Sequence, residues 1–346
     1  MRGSWLGVFV AVLLPAVGLA AQELDDPVVR VMGFGDFNYL VTELDRQEGF
    51  RLGQMVGHVI AGLDERFTFF SEVSVTGKDT GYSIEIERAL ARYDFADAFK
   101  VSVGRFHTPL GYWNTAFHHG SWLQTSVARP EIKRLIPIHF VGLLVEGGFP
   151  SSLLGLGYTV GVGNGRGANI NRAGDAGDVN DQRAWVARVR SRPVSIVGLE
   201  VGASFYSDRL EAPDGRDANE RIFAVHAVLD RDAPEILAEY AHVTHDPVTG
   251  SGDFPGSDGY YVQFGYRLPG SASAVKPYIR IEQVNVPTGA YVLGPRALNY
   301  EGVVAGIRYD PGIFLTLRAE LRNEKFEGLE RSNSFFLQAS FVLAGS

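Results

Sequence analysis

The feature that most constrains this chain is a two-residue alternation of apolar and polar side chains, which returns along almost its whole length. In the segment IFLTLRAELRNE, residues 313–324, every second residue from Ile313 to Leu321 is apolar, and most residues between them are polar or charged. Successive side chains of a β-strand point to opposite faces, so this pattern predicts a strand with one apolar and one charged face. About sixteen such segments can be counted. They lie near residues 28–41, 50–61, 66–76, 82–93, 98–107, 138–149, 154–163, 182–192, 197–207, 220–230, 234–244, 258–268, 274–284, 298–310, 313–324 and 332–343.

The connections between these segments fall into two groups. Some are short, such as 63–66 and 150–153, whereas those between them are mostly longer and rich in Gly, Asp, Asn and Pro, such as 164–181. A soluble sandwich meets the same solvent at both ends and has no reason to sort its loops in this way. An even strand number with such sorting is typical of a membrane barrel. We therefore predict an all-β fold, a transmembrane antiparallel β-barrel of about 16 strands with short periplasmic turns and long extracellular loops.

Aromatic residues support this prediction, because they gather at the ends of the predicted strands. If the apolar face points outward, one set lies toward the short turns and another toward the long loops. The sets are Phe67, Phe99, Phe149 and Tyr309, and Trp185, Phe205, Phe223, Tyr260 and Phe335. Aromatic side chains are enriched at both membrane–water interfaces, so the sets are interpreted as two girdles.

One segment departs from strict alternation. In YSIEIERALARYDF, residues 82–95, Ile86 would face outward, but so would Arg88 and Arg92. A β-bulge near Glu87 and Arg88 inserts one residue and reverses the phase beyond it. We therefore expect a bulge that turns both arginines inward and places Ala89 on the lipid face.

The other face of the predicted strands is polar, small or charged. An unpaired ion buried in a dry core costs several kcal/mol, so a wall of this kind must border water. A barrel of about sixteen strands is wide enough for an aqueous channel. The predicted pore-lining residues are Arg267, Lys276, Arg280, Arg308, Arg318 and Glu320. Two interpretations stay open: the basic members favour anions, or they are wall charges paired with carboxylates such as Glu282 and Glu320.

Export is indicated at the N-terminus. Arg2 is followed by the apolar run Leu6 to Leu14 and by small residues near Ala20 and Ala21, the pattern of a secretory signal peptide. We predict a signal peptide at 1–21 and a barrel over 22–346. The 346 residues include no cysteine, and the net charge of −8 argues against nucleic-acid binding. No cofactor is implied.

The longest predicted connection, 108–137, joins aromatic residues to a basic cluster. Its segment RPEIKRLI suggests a short helix beginning at Pro130, with Ile132 and Leu135 packing on the wall. The basic residues Arg129, Lys133 and Arg134 would then face water. A solvated loop carrying ordinary surface charge is the alternative.

Around this connection and in the strands before it, the chain resembles a porin. The segments FRLGQMVGHVIAGLDERFTFFSEVSV and VGRFHTPLGYWNTAFHHGSWLQTSVARP resemble outer-membrane proteins grouped loosely with the phosphate-selective porins. The resemblance implies a channel in the outer membrane of a Gram-negative bacterium, with the third long loop folded into the barrel. It therefore predicts that 108–137 narrows the pore, that Arg129, Lys133 and Arg134 form the constriction, and that a homotrimer is possible. Expected partners are outer-membrane lipid and small hydrophilic solutes or anions.

Two functions other than a diffusion channel are compatible with a barrel of this kind. A surface barrel could bind a partner through its loops without conducting. A barrel hydrolase could use Ser121 beside His118 and His119, but no oriented acid or oxyanion motif supports it. His107, His118, His119 and His139 also invite a metal site, yet His118 and His119 are adjacent and no acidic or Cys ligand follows at a recognisable spacing. We therefore predict no enzyme activity and no metal.

Overall fold

The computed structural model describes residues 28–78, 80–118, 122–127, 129–166, 175, 177–178, 180–211, 217–249, 254–291 and 299–344. The predicted signal peptide, 1–21, and the hydrolase candidate Ser121 lie outside these residues. Within the described ranges, no helix is both long enough and apolar enough to cross a membrane.

The described residues form sixteen strands, as the alternation predicts. The strands are β1 (Val28–Thr42), β2 (Gly49–Gly62), β3 (Phe67–Lys78), β4 (Gly81–Ala96), β5 (Phe99–His107), β6 (His139–Gly148), β7 (Leu156–Asn164), β8 (Ala184–Ser191), β9 (Leu199–Leu210), β10 (Ala218–Leu229), β11 (Glu235–Pro247), β12 (Ser257–Gly265), β13 (Val275–Asn285), β14 (Tyr300–Gly312), β15 (Leu315–Phe326) and β16 (Ser332–Ala344). A four-residue helix, α1 (Trp113–Ala116), and short 3₁₀ helices at Glu131–Arg134 and Gly270–Ala272 lie between strands.

The sheet closes on itself. Each strand pairs antiparallel with its neighbours in sequence, and β1 pairs with β16 from Met32↔Ala344 to Thr42↔Ser334. Backbone groups in lipid must be paired within the protein, so a sheet spans a membrane only when it has no free edge. The last strand, β16, pairs with both β1 and β15, so the closure that the predicted barrel requires is present.

The outer face of the barrel is apolar. Alternate residues of β14, including Val303, Ile307 and Tyr309, are exposed, whereas Val304 between them is fully buried. At the loop end Phe205 and Phe223 lie directly opposite each other on the outer face. A continuous exposed apolar surface of this kind requires a lipid environment.

The bulge expected in β4 is present. Glu72 of β3 pairs with Arg88, but the next residue, Val73, pairs with Ile86, so Glu87 is the extra residue. Beyond the bulge Arg88 points into the barrel, where its Nε lies 2.6 Å from Oε2 of Glu72. The phase reversal is therefore confirmed.

The longest connections all join strands at the same end of the barrel. They run from His107 to His139, from Asn164 to Ala184 and from Asn285 to Tyr300. The hairpin of β3 and β4 at the same end is tight: β3 ends at Lys78 and β4 begins at Gly81. Gly81 has φ 123°, a conformation that glycine adopts without steric cost.

Candidate functional site

The end of the β5–β6 hairpin leaves the barrel wall. Pairing of β4 with β5 stops at Ala89↔Arg105, although β4 continues to Gly81, whereas β5 and β6 stay paired as far as His107↔His139. The hairpin tip is therefore free of β4 and can turn inward.

Contacts on both faces of this tip place it inside the barrel. On one face, Phe106 and Phe140 are buried in an apolar cluster with Tyr206 of β9. On the other face, His107 and His139 lie near the buried carboxylates of Glu72 and Glu87, respectively. The tip thus lies within the lumen and delivers the following loop there.

The first part of the loop is fixed by one carboxylate of the opposite wall. The backbone N–H groups of Tyr112 and Trp113 donate to Glu239 of β11 over 2.6 and 2.8 Å. Gly111, with φ 66°, precedes them, and a Cβ at this position would collide with the same carboxylate. Charged acceptors make the stronger hydrogen bonds, so Glu239 is a firm anchor for α1.

The predicted helix after Pro130 is a single 3₁₀ turn, Glu131–Arg134, with Pro130 just before it. Ile132 and Leu135 are buried, as expected, with exposures of 6% and 0%. Ile132 packs in a cluster that includes Tyr261 of β12. Apolar burial therefore holds this half of the loop against the wall as well.

The segment between these parts, 122–127, lies along β13–β15 and is bound by wall residues predicted to line the pore. Arg280 donates to Oγ of Ser126 over 2.8 Å, and Nε of Arg318 donates to the carbonyl of Thr125 over 3.1 Å. Arg308 donates to the carbonyls of Leu123 and Gln124, and Glu320 accepts the N–H of Val127 over 2.8 Å.

All four of these wall residues point inward, but the loop covers three of them. Arg280, Arg318 and Glu320 are only 1%, 2% and 1% exposed. Near the short turns, the other predicted lining residues are ion-paired: Arg267 with Asp310 and Lys276 with Glu235, both at 2.7 Å. Alternation of side chains could show that these residues point inward, but it could not show what covers them.

Two of the three predicted constriction residues, Arg129 and Lys133, line a water-sized space of about 470 Å³, whereas the Arg134 guanidinium lies over the ring of Phe326, 5.3 Å from its centroid. Glu131 pairs with Lys133 at 3.1 Å and also with Arg134. Burial would raise the pKa of Glu131, but Lys133 and Arg134 outweigh it and lower this pKa to about 2. Glu131 is therefore ionised at neutral pH and balances part of the positive charge of its two neighbours.

Arg129 has a different environment from the other two. Its guanidinium lies 3.3 Å from Nδ1 of His118 and 3.5 Å from Oε1 of Gln54. Burial lowers the pKa of Arg129 to about 10, against the opposing attraction of Glu87, Glu72 and Asp36. Since this pKa is far above neutrality, Arg129 carries its positive charge at pH 7.

Water-sized spaces remain along the other half of the lumen. Two of them, of about 680 and 470 Å³, are neighbours, since both are lined by Gln54, Thr76, His118 and Arg129. A third, of about 290 Å³, is lined by four arginines and one carboxylate. These residues are Arg88, Arg92, Arg188, Arg190 and Glu146. The loop thus seals one side of the barrel and leaves a polar path on the other.

The structure brings together three of the four histidines that the sequence suggested as a metal site and for which we predicted no metal. His107, His118 and His139 each offer a ring nitrogen within 4.8 Å of the other two. A signal did exist in the sequence: the order Phe–His before the loop and His–Phe after it suits a hairpin that places the two histidines opposite each other. His118 joins them only because the loop folds inward.

This fold and site define the class of the molecule as a sixteen-stranded bacterial outer-membrane β-barrel in which the connection from His107 to His139 folds inside. No protein-family model and no curated protein matches the chain. Solved structures match its fold. The anion-selective porin from Comamonas acidovorans has a TM-score of 0.64 at 11% identity, over 92% of this chain and all of that one.

Two further structures match over similar lengths. The outer membrane channel DcaP of Acinetobacter baumannii has a TM-score of 0.61 at 13% identity, over 92% of this chain and 97% of that one. A trimer form of OmpT, an outer membrane protein of Vibrio cholerae, has a TM-score of 0.60 at 15% identity, over 92% of this chain and all of that one. The chain therefore has the porin fold.

Proposed function

We propose that this protein is a diffusion channel for small hydrophilic solutes in a bacterial outer membrane. The observation that carries the proposal is the position of the loop, which binds the β9–β15 wall and leaves neighbouring water-sized spaces along the opposite wall. A barrel built only to display its surface loops has no need of a polar path inside it.

The channel favours anions in this proposal. Arg129 lies beside both of the larger spaces, and four arginines but one carboxylate line the third. Positive charge in a narrow passage with low-dielectric walls raises the local concentration of anions, even in a protein of net charge −8. Arg129 lines both of the larger spaces, whereas Lys133 lines one of them and Arg134 neither, so Arg129 makes the larger contribution of the three.

The test is the reversal potential of the purified protein in a planar bilayer under a salt gradient. Replacing Arg129, Lys133 and Arg134 together by Glu should shift it toward cation preference, and Arg129→Glu alone should give most of that shift. The effect should shrink at high salt, because the Debye length falls from about 30 Å at 0.01 M to about 3 Å at 1 M.

Arg221→Glu is the matched control. Arg221 is exposed on the outer face near the loop end and pairs with Asp246, so the same charge change there should leave the reversal potential unmoved. Absence of conductance steps would overturn the channel and favour the partner-binding barrel. Conductance with unaltered selectivity in the triple variant would instead show that the loop cations do not control the passage.

Two finer assignments belong to the same proposal. We infer a homotrimer, since OmpT of Vibrio cholerae has this fold and a trimer form. We also infer that the protein is not an enzyme, because the lumen is occupied by a loop whose hydrogen bonds anchor it.

The resemblance to phosphate-selective porins stays a prediction. Among the cations predicted to line the pore, Arg318 binds a loop carbonyl, and Arg267 and Lys276 bind carboxylates. Because these cations already have partners, we infer a preference for small anions in general over phosphate in particular.

A further inference from the structure

The histidine cluster is built from three separate parts of the fold. His107 ends β5 and His139 begins β6, and the two are direct partners across the antiparallel pair. Directly opposite residues have Cβ atoms about 4.5–5.5 Å apart, so their rings must be neighbours. His118 follows α1 in the loop, and its ring centroid lies 4.4 Å from that of His107 and 5.3 Å from that of His139.

This arrangement matches the donor set of a transition-metal ion. Imidazole nitrogens are good ligands for zinc, and three of them with one open position form a common zinc geometry. Tetrahedral ligands about 2.0–2.1 Å from zinc lie about 3.4 Å from one another. The three nitrogens here lie within 4.8 Å of one another, so side-chain rotations can bring them to bonding distance without a change of the barrel.

The surroundings also suit a cation. Two buried carboxylates border the cluster: Oε2 of Glu87 lies 2.8 Å from Nε2 of His139, and Oε2 of Glu72 lies 3.7 Å from Nε2 of His107. A carboxylate beside a ligating histidine orients its ring and increases its basicity. His118 and His139 also line the space of about 680 Å³, so an ion can reach them from water.

We propose that His107, His118 and His139 bind one Zn²⁺ ion inside the lumen, with Glu87 and Glu72 orienting the ligands. The Arg129 guanidinium lies against the ring of His118. A bound dication repels this guanidinium, so Zn²⁺ binding and the position of Arg129 are coupled.

The test is calorimetric titration of ZnCl₂ into the full-length barrel in detergent, after treatment with a chelator and dialysis. We expect one ion per chain. His118→Gln should weaken binding at least about 100-fold, and Glu87→Gln about 10–100-fold, the range found for partners of metal ligands. Arg129→Gln should bind Zn²⁺ more tightly than the unaltered protein does, because it removes the competing positive charge.

His242→Gln is the control, because His242 faces outward on β11 and is not part of the cluster. It should bind Zn²⁺ as the unaltered protein does. Absence of binding by the unaltered protein, or equal binding by His118→Gln, overturns the proposal. If His107→Gln or His139→Gln fails to fold, His118→Gln still decides, since His118 lies in the loop. Binding is measured without conductance, so this result is independent of the channel function.

Discussion

At the scale of single residues, alternation along a strand decides which face a side chain occupies, but its neighbours decide what it does there. Arg318 and Thr76 both point into the barrel. Arg318 is 2% exposed and binds loop carbonyls, whereas Thr76 borders two of the water-sized spaces. The same inward direction therefore gives a structural clamp in one case and a solvated wall position in the other.

The lipid-facing role of Ile307 leads to a prediction about stability. Ile307 is half exposed in the middle of β14 and pairs with Pro277 and Ala319. An arginine on the lipid face near the bilayer midplane costs about 2–4 kcal/mol, because its charge loses hydration. We expect Ile307→Arg to lower the free energy of unfolding in liposomes by that amount, as measured by urea titration.

Thr76→Arg is the comparison for that measurement, since its side chain would enter a water-sized space rather than lipid. We expect little loss of stability from it. An inward residue that is fully buried would not be a suitable comparison, because an arginine there would disrupt packing. Thr316, for example, is 1% exposed and donates to Asp310 over 2.7 Å. Equal losses at Ile307 and Thr76 would contradict the assignment of the two faces.

At the scale of elements, the inner loop is held by polar anchors at three places and by apolar burial between them. Glu239 fixes the start, the arginines of β13–β15 fix the segment 122–127, and Glu282 accepts the N–H of Glu131 over 2.6 Å. A buried hydrogen bond to a charged group contributes about 1.5–3 kcal/mol. We therefore expect the loop to keep its position inside the barrel.

The anchoring role of Glu239 can be tested by Glu239→Ala. This change removes the acceptor of two loop N–H groups, so α1 should separate from β11 and the passage should fluctuate in width. We expect noisier single-channel currents and faster tryptic cleavage after Lys133 and Arg134.

The control for that experiment is Glu301→Ala, because Glu301 is exposed and pairs only with Arg331 among the ion pairs of the described residues. It should leave both the current noise and the cleavage rate unchanged. If Glu239→Ala behaves like this control, the apolar contacts of Ile132 and Leu135 suffice to hold the loop.

At the scale of the whole molecule, closure and lipid contact organise the chain. Pairing of β1 with β16 removes the free edge, and the exposed apolar face requires lipid or another subunit around it.

The proposed homotrimer leads to a prediction about mass. In a three-fold ring each chain contacts one neighbour through one surface patch and the other neighbour through a second patch, so the assembly closes at three copies. We expect native mass spectrometry from a mild detergent to give three times the mass of one chain. A single-chain mass with full channel activity would contradict the homotrimer.

What the sequence determined by itself is the wall of the barrel. Sixteen alternating segments, the closing pair and even the phase reversal at Glu87 follow from it, because the side-chain period of a strand is a local property of the backbone. Arg129, Lys133 and Arg134 could be singled out because they are the basic residues of the longest connection.

Only the tertiary structure decided how the lumen is divided. Tyr112 meets Glu239 across 127 positions of the chain, and Thr125 meets Arg318 across 193. The histidine cluster likewise depends on where the loop folds: the hairpin order suits opposite positions for His107 and His139, but nothing local in the sequence places His118 beside them. Such contacts arise when a loop with several possible positions settles where its N–H groups, carbonyls and apolar side chains are satisfied together, and no local pattern in the sequence records that choice.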